Sequence, residues 1–306
     1  MTSTARSGSY VAEAIEENVG LARLTTIGTG GPARFFARPG TVAELQAVLA
    51  WAAQAGNAVE TVGLGSNLLV HDDGVDALVL KLGGVLATAR VEGTVLVAGG
   101  GATNAVALHR ARAAGLGGFE FASAIPGTAG GGVRMNAGAY GRDWREVMID
   151  AVVVDASGAR TMTVDDLELS YRHSGLRPGQ VVAEVRFQLE PSSPEAVKAK
   201  AGELLAARKA SQPTNRRTFG SVFKNPSEAA GAGRLIEESG LKGYAVGGAR
   251  ISPRHANFIE NTGTATSADC VALMAEAIRR VHERVGIRLE HEVQFLGPLA
   301  LPEPSQ

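Results

Sequence analysis

Between Ala124 and Gly141 the chain reads AIPGTAGGGVRMNAGAYG, six glycines in eighteen residues. Glycine loses more backbone freedom on folding than any other residue, so a run this dense is costly inside a regular helix or strand and something must offset the cost. Backbone lying flat against a ligand is one explanation, and a glycine-rich crossover between domains is the other. The run is not isolated. GTGGPA at 28–33, GLGSN at 63–67, AGGGA at 98–102 and GLGG at 115–118 contribute to a total of 39 glycines, against about 21 for an average chain of this size at roughly 7%. No period links the clusters and well-patterned segments separate them, which excludes collagen-like and low-complexity character. A globular chain is implied whose loops approach something large, with a diphosphate-bearing cofactor as the first candidate.

The patterned segments alternate between helix and strand signals. TVAELQAVLAWAAQAG (41–56) opens on a Thr-x-x-Glu capping box, spaces its apolar residues helically and stops at Gly56. Short apolar strands flank GLGSN, so 41–82 reads as a strand-helix-strand unit. ATARVEGTVLVAGGG predicts a hairpin around Glu92-Gly93, followed by a capped helix in TNAVALHRARAAGLGG. MIDAVVVDASGARTMT reads as two strands joined by an Asp-Ala-Ser-Gly turn, with a further strand in VVAEVRFQLE. Beyond the Pro- and Lys-bearing stretch at 191–213 come a long helix, the FGSVFKNP loop, a helix in GAGRLIEESG, strands around AVGGARIS and HANFIEN, the helix SADCVALMAEAIRRVHERVG, and a last strand in IRLEHEVQFLG. The fold class is α+β, in three parts: 1–82, 83–196 and 197–306, the last ending in a frayed tail.

Charge and cysteine content exclude several function classes. A formal net charge of -1 creates no field for polyanions, so nucleic acid is not expected as a partner. The single cysteine, Cys270, rules out an intrachain disulfide and any multi-cysteine zinc site. The six histidines are scattered without ligand spacing, so no metal site is expected. No signal-peptide run and no uninterrupted apolar stretch of about 18 residues is present, so a cytoplasmic protein without membrane attachment is expected.

Taken singly, the chemistry-bearing residues are ambiguous. GLGSN offers Gly63, Gly65, Ser66 and Asn67 as an anion nest or as an ordinary turn. Neither a complete Gly-x-Gly-x-x-Gly fingerprint nor a Walker phosphate loop is present. Ser221 in FGSVFKNP reads as a turn serine, a helix cap or a residue that does chemistry. Arg172 follows a tyrosine at a strand-loop border, where a solvated or ion-paired arginine is the ordinary finding. Strand alternation puts Leu289, His291, Val293 and Phe295 on one face and Glu290, Glu292 and Gln294 on the other, so Glu292 alone reads as a solvent-facing carboxylate.

Their order along the chain is more specific than any one of them. TTIGTGGPA, GLGSNLLV, GFEFASAIPGTAGGGVRMNAGAYG, YRHSGL, QP followed by FGSVFKNP, GRLIEESGLKG, HANFIEN and LEHEVQFLG occur in the order seen in the UDP-N-acetylenolpyruvoylglucosamine reductases, the MurB flavoenzymes. The resemblance covers roughly residues 21–297. It implies a two-domain FAD-binding module of the vanillyl-alcohol-oxidase (PCMH) type and a C-terminal α+β substrate domain. It also implies noncovalent FAD, NADPH as co-substrate and a UDP-sugar substrate, with a monomer favoured over an oligomer. The implied activity is that of a UDP-N-acetylmuramate dehydrogenase acting in peptidoglycan precursor synthesis.

Residue by residue, the resemblance implies that Ser221 is the proton donor and that Arg172 and Glu292 complete the catalytic set. Cofactor contacts are implied at Gly63, Gly65, Ser66 and Asn67, at Ile125, Pro126, Gly127, Thr128, Gly130 and Gly131, and at Asn136, Ala137 and Val182. Substrate contacts are implied at Tyr171, Lys209, Asn225, Lys242 and His255, where relatives can carry glutamine in place of His255. The stretch between Arg172 and Lys209 has no long insertion bearing a clamping tyrosine, as in the shorter, type II members. A flavin oxidase for another alcohol is disfavoured because IPGTAGGG lacks a linkage histidine. A relative that binds but does not turn over is disfavoured because none of the catalytic positions is degraded.

Overall fold

The computed structural model describes residues 14–227 and 230–302. The chain clusters into two compact units, one comprising 14–18, Arg34–Leu64 and Asp76–Ala207, the other Val19–Ala33, Gly65–Val75 and 208–302.

The first unit contains two sheets. In the smaller, the order is Ile15–Gly20, Pro32–Ala37, Val75–Leu80, Val59–Thr61, with the last two parallel. The larger is antiparallel, ordered Gly158–Thr163, Met148–Asp155, Val181–Gln188, Val95–Gly99, Ala89–Glu92. The expected hairpin is present, with Gly93 at φ 61° in its turn. Helix Val42–Gln54 buries Leu45, Val48, Leu49 and Ala52 against Leu78, Leu80, Val154 and Val181. Thr41 caps it as expected by accepting the Glu44 N–H at 3.2 Å. The Glu44 carboxylate reaches past the cap residue, however, and accepts from Gly40 N–H at 2.7 Å. Helix Asn104–Ala113 is capped by Thr103. Together with Phe119, Phe121, Trp144 and Phe187 it fills the core over the larger sheet.

The second unit is built on an antiparallel sheet ordered Arg217–Ser221, Phe258–Asn261, Ala249–Ile251, Ala245–Val246. Helix Ser267–Val285 covers it, burying Cys270, Leu273, Met274, Ala277 and Val281 behind a Thr266/Asp269 capping box. The last strand is shorter than its sequence pattern predicts. Only Gln294–Leu296 forms a ladder, parallel to Leu68–Val70. Residues 290–292 instead run beside 222–224, around the Phe223–His291 bridge. The expected alternation survives this change, because Leu289 and Val293 are buried and His291 stacks on Phe295 at 4.7 Å.

Candidate active site

The glycine-rich segment departs from the sequence expectation in an instructive way. Ala129–Arg134 is a short helix containing three consecutive glycines, capped by Thr128. What offsets the entropic cost is close packing of the protein on itself. A Cβ on Gly132 would lie 2.4 Å from the Trp144 ring, and one on Gly130 would lie 2.9 Å from the Gly100 carbonyl oxygen. The first amides of this helix are already used: Ala129 N–H donates to Ala102, Gly130 N–H to Gly100, and Gly131 N–H to the Thr128 hydroxyl. Gly130 and Gly131, implied as cofactor contacts, therefore have no backbone N–H left to donate to a ligand.

The free donors lie just upstream. Among the described residues, the backbone N–H groups of Gly63, Leu64, Gly127 and Thr128 carry no hydrogen bond. The two stretches adjoin, since a Cβ on Gly63 would lie 2.7 Å from Thr128 Oγ1. The Lys81 ammonium donates to the Gly63 carbonyl, and Asn104 holds the other stretch by donating from Nδ2 to Ile125 O at 2.8 Å and from its N–H to Gly127 O at 3.0 Å. Burial, with a smaller push from Arg38, lowers the Lys81 pKa. A set of unpaired amides with a lysine behind it, approachable because Gly63 has no side chain, fits the diphosphate of a dinucleotide.

Other implied cofactor residues serve the scaffold. Asn136 is fully buried at φ 37°. Its Nδ2 donates to Asp143 and to Ser170 O, both at 3.0 Å, and its Oδ1 accepts from Arg145 N–H at 3.0 Å. Both amide protons are taken and its own N–H donates to Val133 O at 3.1 Å, so it has no donor left to offer a ligand. Val182 packs in the core, its carbonyl so near Gly100 that a Cβ there would lie 1.8 Å away. Ile125 and Ala137 are partly buried against the same core.

Arg172 and Tyr171 form the tip of a tight turn closed by reciprocal Ser170–His173 hydrogen bonds of 3.2 and 3.1 Å. Arg172 has φ 55° and donates to Gly138 O at 2.8 Å, with its guanidinium 5.0 Å from the Tyr171 ring. Ser174 donates to Arg134 O at 2.8 Å and Arg134 to Leu176 O at 2.6 Å. The turn is thus fastened to 134–138 through four side chains. Of the five non-glycine residues with positive φ among the described residues, Asn136 and Arg172 fall in these two segments, and Tyr140 and Glu168 lie two residues outside them. Strained backbone gathers where placement matters.

In the second unit, three implied site elements meet. Strand Arg217–Ser221 brings Ser221 to its end, and Glu292 N–H donates to Val222 O at 2.9 Å. Asn67 donates from Nδ2 to Glu292 O at 2.8 Å and accepts from Gln294 N–H at 2.9 Å. A Cβ on Gly220 would lie 3.0 Å from Ser66 O. Ser66, Asn67, Ser221 and Glu292 therefore share one locality. Gly65, at φ 71°, is required by backbone: a Cβ there would lie 2.0 Å from Leu24 O. Among the described residues the Ser221 hydroxyl bonds to nothing, and the next helix, Ala232–Glu238, is capped from elsewhere by Asn225 Oδ1 accepting Ala232 N–H at 3.0 Å. The cap and turn readings of Ser221 are thereby removed.

The implied substrate residues of this unit form a second group. Lys242 pairs with Glu237 at 2.6 Å. Both lie close enough to His255 to influence it, but burial dominates and lowers its pKa. His255 Nδ1 accepts Asn257 N–H at 3.2 Å, which places the neutral ring's proton on Nε2. Lys209 is exposed on the last turn of helix Pro194–Ser211, whose carbonyls at Lys209 and Ala210 are capped by Arg254 at 2.6 and 2.9 Å. Arg254, Lys81, Asn104 and Asn257 escape sequence reasoning, because a residue that holds another residue's backbone carries no pattern of its own.

Residues 212–296 match the UDP-N-acetylenolpyruvoylglucosamine reductase C-terminal domain, and residues 33–163 match an FAD binding domain. A UDP-N-acetylenolpyruvoylglucosamine reductase of Novosphingobium aromaticivorans is 44% identical over 90% of this chain and 93% of its own length. The chain belongs to this reductase family. The Dinoroseobacter shibae member is 39% identical over 95% of this chain and 98% of its own. The crystal structure of the Thermus caldophilus reductase superposes with a TM-score of 0.80 at 36% identity, covering 92% of this chain and 98% of that one. The chain is thus an FAD-dependent oxidoreductase by family, with an α+β fold. No helix among the described residues is long and apolar enough to cross a membrane.

Proposed function

We propose that this protein catalyses the NADPH-dependent reduction of the enolpyruvyl group of UDP-N-acetylglucosamine enolpyruvate to the lactyl ether of UDP-N-acetylmuramate, a cytoplasmic step toward peptidoglycan. The observation that carries the reading is the meeting of Ser66, Asn67, Ser221 and Glu292 in one locality, where the Ser221 hydroxyl makes no hydrogen bond among the described residues.

When bound, FAD would be held without a covalent link and would supply hydride, drawn from NADPH, for the β-carbon of the enolpyruvyl group. The amides of Gly63, Leu64, Gly127 and Thr128, with Lys81 behind them, would hold the cofactor diphosphate. As hydride arrives, negative charge builds on the α-carbon and its carboxylate. Arg172, planar, permanently charged and held by its turn, stabilises that charge. Glu292 shares it through a carboxyl group whose backbone is locked on both sides, by Val222 and Asn67. Ser221 gives its proton to the α-carbon; a weak acid suffices for so basic a centre. Tyr171, Lys209, Asn225, Lys242 and His255 bind the sugar nucleotide, the lysines attracting its diphosphate. Lys242 must exchange its Glu237 partner for phosphate in doing so. Within this reading the chain divides functionally into 1–82, 83–196 and 197–306, the last being the substrate domain, and it acts as a monomer.

Stopped-flow absorbance tests the assignment. Ser221→Ala should leave flavin bleaching by NADPH near the parent rate, while reoxidation by the enolpyruvyl sugar nucleotide slows by about 10² to 10⁴. Ser221→Cys should recover part of the loss. An alanine variant that reduces substrate at the parent rate would return Ser221 to a structural role. The noncovalent claim has its own check, because acid-denatured protein should release all its yellow colour into the supernatant.

A further inference from the structure

The segment after Ser221 is held from two sides by different means. On one side, Glu292 N–H donates to Val222 O and Lys224 N–H donates to Glu290 O, both at 2.9 Å, around the Phe223–His291 bridge. In an antiparallel pair of this kind the N–H and C=O of the central residue point away from the partner strand. Those of Phe223 therefore face the other way, where a regular strand would have to receive them.

No strand does. The register of Arg217–Ser221 against Phe258–Asn261 shifts between Thr218 and Ser221, and the ladder ends at the Ser221–Phe258 pair. Asn257 takes the strand's place. Its carbonyl accepts Val222 N–H at 2.9 Å, its Oδ1 accepts Phe223 N–H at 2.9 Å, and its Nδ2 donates to Phe223 O at 2.8 Å. Asn257 is 4% exposed and Phe223 is 2% exposed. Deleting the amide would strand a buried donor and a buried acceptor two residues from Ser221, a situation native structures avoid. The chain would have to twist to reach water or new partners. Because Val222 is also the residue that ties this segment to Glu292, such a twist moves Ser221 relative to Glu292.

We propose that Asn257 is a positioning residue for proton transfer: by mimicking a missing strand, its side chain fixes the placement of Ser221 against Glu292. The proposal rests on the reading of Ser221 as proton donor. It places no contact between Asn257 and substrate or cofactor.

The test separates the two half-reactions of the FAD-loaded protein. Asn257→Leu matches the side chain in size and removes both hydrogen bonds. Asn257→Asp keeps the acceptor for Phe223 N–H and loses the donor. With the leucine variant, reoxidation by the enolpyruvyl sugar nucleotide should slow by about tenfold or more, with a larger solvent deuterium isotope effect, while flavin reduction by NADPH stays within about threefold of the parent. The aspartate variant should fall between. Equal slowing of both half-reactions, or a lowered melting temperature with parent rates in both, would show Asn257 to be structural only and overturn the proposal. Ser221→Ala run in parallel keeps the two ideas apart. A parent-like alanine variant sinks the proton-donor reading itself, whereas a slow alanine variant beside a parent-like Asn257→Leu sinks only the role of Asn257. If the leucine variant fails to fold, the aspartate variant and the unaltered protein still decide: amide exchange at Phe223 should be as slow as at Phe258, and rapid exchange there overturns the proposal.

Discussion

Arg172 and Ser221 are presented by opposite devices. Arg172 stands at the tip of a two-residue turn with left-handed backbone, beside a tyrosine that is 52% exposed, and the turn is pinned by side chains reaching to backbone carbonyls. Ser221 stands at the end of a strand whose register shifts just before it, and the segment that follows is held by backbone hydrogen bonds to 290–292 on one flank and by Asn257, through its carbonyl and its side-chain amide, on the other. A permanently charged group tolerates small movements, because electrostatic stabilisation falls off gradually with distance. Proton transfer requires donor and acceptor within hydrogen-bond reach. The difference teaches that the more distance-sensitive task has the stiffer mount.

The comparison can be sharpened first by rate. Arg172→Ala should reduce the substrate half-reaction by about 10² to 10³, the usual cost of one preorganised donor at developing charge. Arg172→Lys should recover little, since lysine lacks the planar fork and gains nothing from the fixed turn. Full recovery in the lysine variant would mean that the turn geometry is irrelevant.

Stability gives the next largest effect. Asn136→Ala removes three hydrogen bonds at a fully buried site, leaving Arg145 N–H without its acceptor and Ser170 O with His173 N–H alone. A loss of about 2 to 4 kcal/mol in urea unfolding is expected, together with weakened catalysis through the loosened Arg172 turn. Unchanged unfolding would show that the turn is fastened by its remaining bonds alone. For the cofactor, Gly63→Val should press on the Thr128 side chain and raise the FAD dissociation constant by about tenfold or more, measured by titrating stripped protein. Parent-like affinity would remove Gly63 and Thr128 from the diphosphate cradle.

The smallest effect is on pH dependence. Burial lowers the folded-state pKa of His255, so the unfolded chain binds its proton first as pH falls. His255 therefore contributes nothing adverse above the unfolded value of about 6.5, and stability declines as pH drops below it toward the folded pKa. Subtracting the profile of His255→Gln should remove that slope, and a slope that survives the substitution belongs to other groups.

Much of the scaffold could be read from local chemistry. The Thr41 and Thr103 caps, the Gly93 hairpin and the helix Ser267–Val285 each follow from spacing within a few residues. Motif order points to Ser221, Arg172 and Glu292, but it locates positions without showing what holds them. What could not be read depends on distant pairs. Gly132 is explained by Trp144, and Asn136 by Ser170, Asp143 and Arg145. Asn257 is explained by Phe223, thirty-four residues away. The truncated final strand has the same cause, since its pattern persists through 289–293 while its pairing partners there come from the Ser221 segment and not from a strand of its own.

The packing of Trp144 beneath the glycine helix also gives the protein an optical signature. This indole is wholly buried among Phe119, Phe121 and Phe187, with ring centroids 5.4, 5.6 and 5.9 Å away, whereas Trp51 meets Phe35 edge-on at a partly exposed site. The two tryptophans should therefore emit at different wavelengths, Trp144 to the blue. A flavin absorbs in the range where indoles emit, so loading the protein with cofactor should quench the blue component by resonance transfer. The emission of Trp144 thus reports cofactor occupancy from inside the core, without a label and without turnover.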